Sequence, residues 1–230
     1  MIEPSKFKAL DCVEILHADV AEIVDVARSL TPDQKRMQIA GIKTMIDSIE
    51  TRSATDMRVC LVRILVSLLP DALSIITEIL NCIDDASWFE VHFTLFCYLD
   101  LVATSEDSQT RFRILQEIEK YLMNARRDTA LATRKAADLL GREFPPEIAR
   151  PLLIRVIREG PRAIGRYCSL VGLGTSIKRY GIHGEEIRLT KEVLRNIIQV
   201  DRSQRVRHLA KQLVSIGLSG SNGPLAELDS

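Results

Sequence analysis

The chain has 230 residues, 46% hydrophobic and 27% charged, enough to bury a sizeable core under a charged surface. With 11 glycines and 8 prolines it is neither collagen-like nor low-complexity, and it is too poor in turn formers for a turn-dense all-β chain. The formal net charge is zero, but residues 1–110 carry 9 Lys and Arg against 18 Asp and Glu, a balance of −9, while residues 111–230 carry 22 against 13, a balance of +9. The basic half is Arg-heavy, with 17 Arg to 5 Lys. Such an uneven distribution creates a steering field or a docking face.

Residues 1–6, Met-Ile-Glu-Pro-Ser-Lys, show no basic region followed by an apolar one, so no signal peptide is expected. The richest apolar run, 59–69, is interrupted by Arg63 and falls short of the ~18 residues of a membrane span. Five cysteines, an odd number at wide spacing, sit inside apolar stripes. They read as reduced thiols of a cytoplasmic protein, not as a disulfide framework.

In chain order, residues 5–29 read as one or two helices with a break at His17-Ala18-Asp19. Thr31-Pro32-Asp33-Gln34 then restarts a helix: Thr as N-cap, Pro at the first helical position, and Gln reaching back. That helix is expected to reach about residue 49, with a strongly apolar helix following over 56–69. Pro70-Asp71 opens the next, to about residue 83, and Asp84-Asp85 leads into the most aromatic piece of the chain, 87–103. There Phe89, Phe93 and Phe96 fall on one face, and Trp88, Val91, Leu95 and Leu99 on another, the pattern of a buried helix or of an aromatic groove. Further helices are expected over 108–124, 129–140, 146–159 (with Pro151 early, a site for a kink), 161–178, 185–200 and 203–218. Residues 219–230, polar and rich in Gly and Ser, read as a flexible tail.

Two of these segments share a layout. In DRSQRVRHLAKQLVSIG, residues 201–217, Asp201 precedes Val206-Arg207, and Val206, Ala210, Leu213 and Ile216 form one stripe at helical spacing. In DTALATRKAADLLG, residues 128–141, Asp128 precedes Thr133-Arg134, followed by Ala136, Ala137 and Leu140. In both, Arg follows Asp by six residues. Aligning equivalent positions at Met57, Val91, Thr133, Ile164 and Val206 gives steps of 34, 42, 31 and 42 residues, in the range of helical-pair solenoids. The remaining copies diverge, with Arg52 in place of the Asp before Met57-Arg58, His92 in place of the Arg, and Gly165 likewise.

The 128–141 and 201–217 segments resemble the second helix of HEAT-like (armadillo-type) repeats. The resemblance implies an all-α fold: a right-handed α–α superhelix, or solenoid, of about five helix pairs plus an N-terminal helix. The expected organisation is a single domain over 1–218, with a cap at about 1–30 and repeats at about 31–218. In that family the Asp and the Arg six residues on hydrogen-bond between neighbouring repeats. Carried over, Asp128, Arg134, Asp201 and Arg207 would be structural ladder residues. Second helices line the concave face of such arrays, so by helix register Lys135, Arg166, His208 and Lys211 would point into the groove.

Signals for chemistry are weak beside this. His17, His92, His183 and His208 are scattered, and Cys12, Cys60, Cys82, Cys97 and Cys168 include no closely spaced pair, so no metal is expected. Gly172-Leu-Gly174-Thr-Ser-Ile-Lys178 lacks phosphate-loop spacing, and its glycines suit close helix packing better. Glu185-Glu186 and Asp84-Asp85 sit at helix starts, where carboxylates favour the positive end of the dipole. Arg111, Arg113, Arg126, Arg127, Arg155, Arg158, Arg162, Arg166, Arg202 and Arg205 gather around turns and helix starts. If several converge they form an anion site; otherwise they are a solvated surface.

These observations lead to the expectation of a non-enzymatic scaffold, without cofactor, that binds an acidic or extended segment of another protein on its concave face. The alternative is nucleic-acid or phosphate-anion binding through the Arg-rich half, since some HEAT-like proteins act on alkylated DNA. A third reading is electrostatic self-association, the acidic half of one molecule on the basic half of the next.

Overall fold

The computed structural model describes residues 20–48, 55–82, 89–102 and 108–216. The expected break at His17-Ala18-Asp19, Trp88, the side chain of Phe89 and the tail at 219–230 lie outside the described residues. Among those described, every regular element is a helix and there is no strand. The order is α1 (Val20–Ser29), α2 (Pro32–Ser48), α3 (Thr55–Ser67), α4 (Leu73–Asn81), α5 (Phe89–Val102) and α6 (Ser108–Met123). Then come α7 (Ala130–Glu143), α8 (Pro146–Glu159), α9 (Ala163–Tyr180), α10 (Gly184–Val200) and α11 (Gln204–Ile216). The chain divides into two compact units, Met1–Glu117 and Ile118–Ser230.

In the N-terminal unit, α2 starts where its capping sequence places it. The Thr31 N–H donates to Gln34 Oε1 at 2.8 Å, and the Gln34 N–H donates to Thr31 Oγ1 at 3.3 Å, satisfying two otherwise orphaned helix-end donors. The core helix is α3: Cys60 through Leu69 are buried without interruption. It packs against α1, α2, α4 and α5, which explains an apolar pattern covering more than one face. Helix α4 opens later than Pro70. Residues 68–72 form turns, with Ala72 N–H bonded to Leu68 O and Leu73 N–H to Pro70 O, and regular helix begins at Leu73. On α5, Val91, Leu95, Phe96 and Leu99 are buried, whereas Phe93 is exposed. The aromatic positions expected on one face are thus divided between core and solvent. His92 is fully buried, and its Nε2–H donates to Ile79 O at 2.7 Å, a satisfied core histidine.

In the C-terminal unit the central helix is α9, packed against α7, α8 and α11. Small residues lie at its contact with α7: Ala137 and Gly141 on α7 meet Gly172 and Ser176 on α9. A Cβ at Gly172 would collide with Ala137 O, and one at Gly141 with Gly172 O. A Cβ at Gly165 would strike Leu122 O. Glycines there let two helix backbones touch directly, the packing role their sequence context suggested. Helix α9 ends at Gly181, whose positive φ of 69° and N–H bond to Ile177 O close the last turn. Helix α8 starts with Pro146 and continues through Pro151, which lies exposed.

Burial also catches a cation in this unit. Arg150 on α8 is 2% exposed, and its guanidinium is fully engaged. Nε donates to Ser176 Oγ at 3.0 Å, Nη1 to both oxygens of Glu186 at 2.8 Å, and Nη2 to the carbonyls of Ser176 and Gly181. This single side chain ties α8 to the end of α9 and the start of α10. Glu186, at that start, accepts the ion pair while also complementing the helix dipole.

Candidate ligand-binding cleft of the C-terminal unit

Helices α9 and α11 lie side by side, and a bidentate ion pair ties the first turn of α9 to the residue preceding α11. Arg166 Nε and Nη2 donate to Asp201 Oδ2 at 2.6 Å and Oδ1 at 3.1 Å, and Arg166 Nη1 donates to Gly160 O at 2.7 Å. Asp201 in turn caps the approach to α11, accepting the Ser203 N–H at 2.8 Å, while Arg207 Nη1 donates to Asp201 O at 2.6 Å. Burial disfavours the Asp201 carboxylate. The Arg166 hydrogen bonds, the Ser203 N–H and the charges of Arg166 and Arg207 outweigh that penalty and hold its pKa below the ordinary value.

Beside this clamp opens a cleft of about 960 Å³. Its floor is apolar, from Ala163, Ile164 and Leu209, with the half-buried Tyr167 among them. Gln204, Gln212 and Ser203 supply neutral polar groups. Four cationic or protonatable side chains surround it: Arg127 from the turn before α7, Arg162 at the N-cap of α9, and Arg205 and His208 on α11. All four are exposed, and none is engaged with another described side chain. No carboxylate lines the cleft. An anionic group entering it would meet unneutralised guanidinium donors above an apolar surface.

The expected groove residues are distributed differently from one another. His208 lines the cleft. Lys211, exposed on the same helix, and Lys135, half-buried on α7, are not part of its lining. Arg166 is occupied by Asp201 and Gly160 and is not offered to a ligand. The expected ladder residues also differ. The long-range bond at Asp201 comes from Arg166, 35 residues earlier, whereas Arg207 closes back on Asp201 six residues before it. Asp128 pairs locally with Arg126 at 3.2 Å, and Arg134 is an exposed residue whose charge acts on Cys168.

Of the clustered arginines, Arg127, Arg162 and Arg205 are the ones brought together. Others found partners: Arg155 pairs with Glu119 at 2.9 Å, Arg126 with Asp128, and Arg166 with Asp201. Residue type and position near a turn do not separate the two groups, because the partner acids lie up to 36 residues away. Tyr167, Gln204 and Gln212 were not singled out by the sequence, and no local signal marks them. The same holds for Arg150.

The described residues include no cluster of three or more His, Cys, Asp or Glu side chains able to hold a metal ion. Cys60, Cys82, Cys97 and Cys168 are all free thiols. Burial pushes the Cys168 thiol up to about 12, only partly offset by Arg134, so it is not a nucleophile near neutrality. No helix among the described residues is long and apolar enough to cross a membrane. The chain matches no family model, no curated protein and no solved structure.

Proposed function

We propose that the chain is a HEAT-like scaffold, a right-handed α–α superhelix of about five helix pairs, that acts without catalysis by binding a protein partner in the cytoplasm. The arrangement of second helices supports this reading: α3 packs on α5 in one unit, and α7 on α9 and α9 on α11 in the other. Stacked second helices present one face repeatedly, and in such arrays that face is the binding surface. The observation that carries the proposal is the cleft itself, formed along α9 and α11 and bearing unneutralised arginines over an apolar floor. A peptide can satisfy both features at once, with carboxylates on the rim and a side chain on Ile164 and Leu209.

Nucleic-acid or phosphate binding is the second reading, favoured by the +9 balance of residues 111–230. It requires backbone tracking along a cationic surface with stacking platforms, and Tyr167 is the one aromatic residue in the cleft lining. Self-association has less support. The described acids Asp25, Asp33, Asp71 and Glu78 of the N-terminal unit are each paired within the unit to Arg or Lys.

A photo-crosslinking residue placed at Gln212, in the cleft wall, tests the proposal in cells. Adducts that carry a discrete second polypeptide and vanish with Arg162→Glu are the expected result. Adducts that are nucleic acid, sensitive to nuclease, would replace the protein-binding reading with the second one.

A further inference from the structure

The C-terminal unit covers Ile118–Ser230, and residues 217–230 are the part of it outside the described residues. Their sequence, GLSGSNGPLAELDS, has two parts. Residues 217–224 are rich in Gly and Ser; residues 225–229 interleave Leu225 and Leu228 with Glu227 and Asp229, and no Lys or Arg occurs in either part. That combination matches the cleft in both its features. The exposed Arg127, Arg162 and Arg205 meet no carboxylate in the lining, and Ile164, Tyr167 and Leu209 offer an apolar surface beneath them.

Connectivity brings segment and cleft within reach of each other. Helix α11 gives Gln204, Arg205, His208, Leu209 and Gln212 to the lining, a stripe that begins at its first residue and stops one turn before Ile216. At a rise of about 1.5 Å per residue, the way back from Ile216 is about 12 Å to His208 and about 16 Å to Arg205. An eight-residue Gly/Ser-rich linker has a root-mean-square span of roughly 14–17 Å, so residues 217–224 suffice to return 225–229 to the stripe. A segment tethered at that distance is present at an effective concentration of about millimolar, which fills a site of even weak intrinsic affinity.

Resting on the reading of the cleft as a peptide-binding surface, we infer that residues 225–229 fold back along α11 and occupy it, so that a partner binds by displacing them. Glu227 and Asp229 supply the carboxylates, which the planar guanidinium fork meets with paired hydrogen bonds. Leu225 and Leu228 supply the apolar contact with Ile164 and Leu209. The apparent affinity of a partner falls in proportion to the fraction of chains with an open cleft.

The test uses the full chain and a labelled peptide of residues 219–230, read by fluorescence anisotropy. The parent chain is expected to bind the peptide about tenfold more weakly than the variant E227K/D229K, whose own segment no longer complements the arginines. Adding Arg162→Glu to that variant should lose about tenfold in affinity. Adding Arg195→Glu instead, which reverses an exposed charge on α10 outside the cleft lining, should leave it unchanged. Circular dichroism melting checks that each variant is folded; if the Arg162→Glu chain is not, Arg205→Gln replaces it, with an expected loss of about threefold. In a second readout, a photoreactive phenylalanine replaces Tyr167 in the chain with its natural tail. Its adduct is expected at residues 225–229 of the same molecule, as judged by mixing ordinary and nitrogen-15-labelled chains. Equal peptide binding by the parent and E227K/D229K chains, weakened by Arg162→Glu, would overturn self-occupancy while leaving a peptide-binding cleft. Adducts joining two chains would overturn it in favour of a contact between copies, and binding untouched by the arginine variants would overturn the assignment of the site. Absence of both peptide binding and an adduct at 225–229 would also overturn it, and the crosslink from Gln212 in cells then decides the partner reading alone.

Discussion

The two units solve the problem of burying helices in opposite ways. In the N-terminal unit, large apolar side chains do the work: Leu61, Ile64 and Leu65 of α3, and Leu68 in the turn after it, are fully buried. Several of its surface charges form ion pairs, such as Lys43–Glu78 at 2.7 Å, and the buried Arg63 lies over the Tyr98 ring at 4.9 Å. In the C-terminal unit, Gly, Ala and Ser lie at the contact of α7 with α9, and Arg150 is buried as a crosslink. Helix α9 also packs against α11, where Arg166 is tied to Asp201. Arg127, Arg162 and Arg205 gather at the cleft, whose lining holds no carboxylate.

That contrast can be broken at the contact of α7 with α9 first. Gly172→Ala places a methyl group against the backbone carbonyl of Ala137, which no side-chain rotation relieves. The expected loss is about 3 kcal/mol, as for overpacking of a tight core, and a melting temperature lower by roughly 10 °C. The same change at Gly41 on α2 of the N-terminal unit meets no atom within 4 Å. There the gain in helix propensity should stabilise by about 0.5–1 kcal/mol. Thermal denaturation of the two variants, giving shifts of opposite sign, checks the difference; equal shifts would erase it.

Next in size is the buried crosslink. Arg150→Met keeps much of the volume but removes the bonds to Ser176, Gly181 and Glu186. A loss of about 2–3 kcal/mol is expected from the broken charge-assisted bonds. Hydrogen exchange should show protection falling at the end of α9 and the start of α10, with α3 unchanged.

A smaller effect, with a pH signature, is expected at Asp201. Its folded-state pKa is lowered, so its contribution is complete above the ordinary carboxylate value of about 4. That contribution disappears as the pH falls through the lowered folded value. Asp201→Asn should cost about 1–2 kcal/mol at neutral pH. Urea unfolding from pH 7 to pH 2 should show a shallower acid limb in the variant than in the parent chain; parallel limbs would remove Asp201 from the account.

The smallest effect belongs to the N-terminal unit's surface. Lys43→Met breaks an ion pair whose side chains are 42% and 56% exposed. Less than about 0.5 kcal/mol should be lost, read as a midpoint shift in the same urea titration.

Much of this architecture was legible in the sequence because helix formation is a local matter. Thr31 and Gln34 sit three residues apart and cap α2 by themselves. The apolar stripe of Val206, Ala210 and Leu213 is buried in α11 as its spacing requires. Local reading fell short where a turn competed with a helix start. Pro70 offered a plausible first position, but residues 68–72 bond back toward the end of α3, and α4 waits until Leu73.

By itself the sequence determined an all-helical chain, most of its helix boundaries and a strong charge asymmetry, because propensity, capping and periodicity act within a few residues. Only tertiary structure decided which arginines are structural and which face a ligand. Arg166 and Arg162 are four residues apart on the same helix turn, yet one is locked to Asp201 and the other opens on the cleft. The difference lies in Asp201, which meets Arg166 from 35 residues further along the chain. That meeting is set by packing between helices distant in sequence, and no local pattern encodes it.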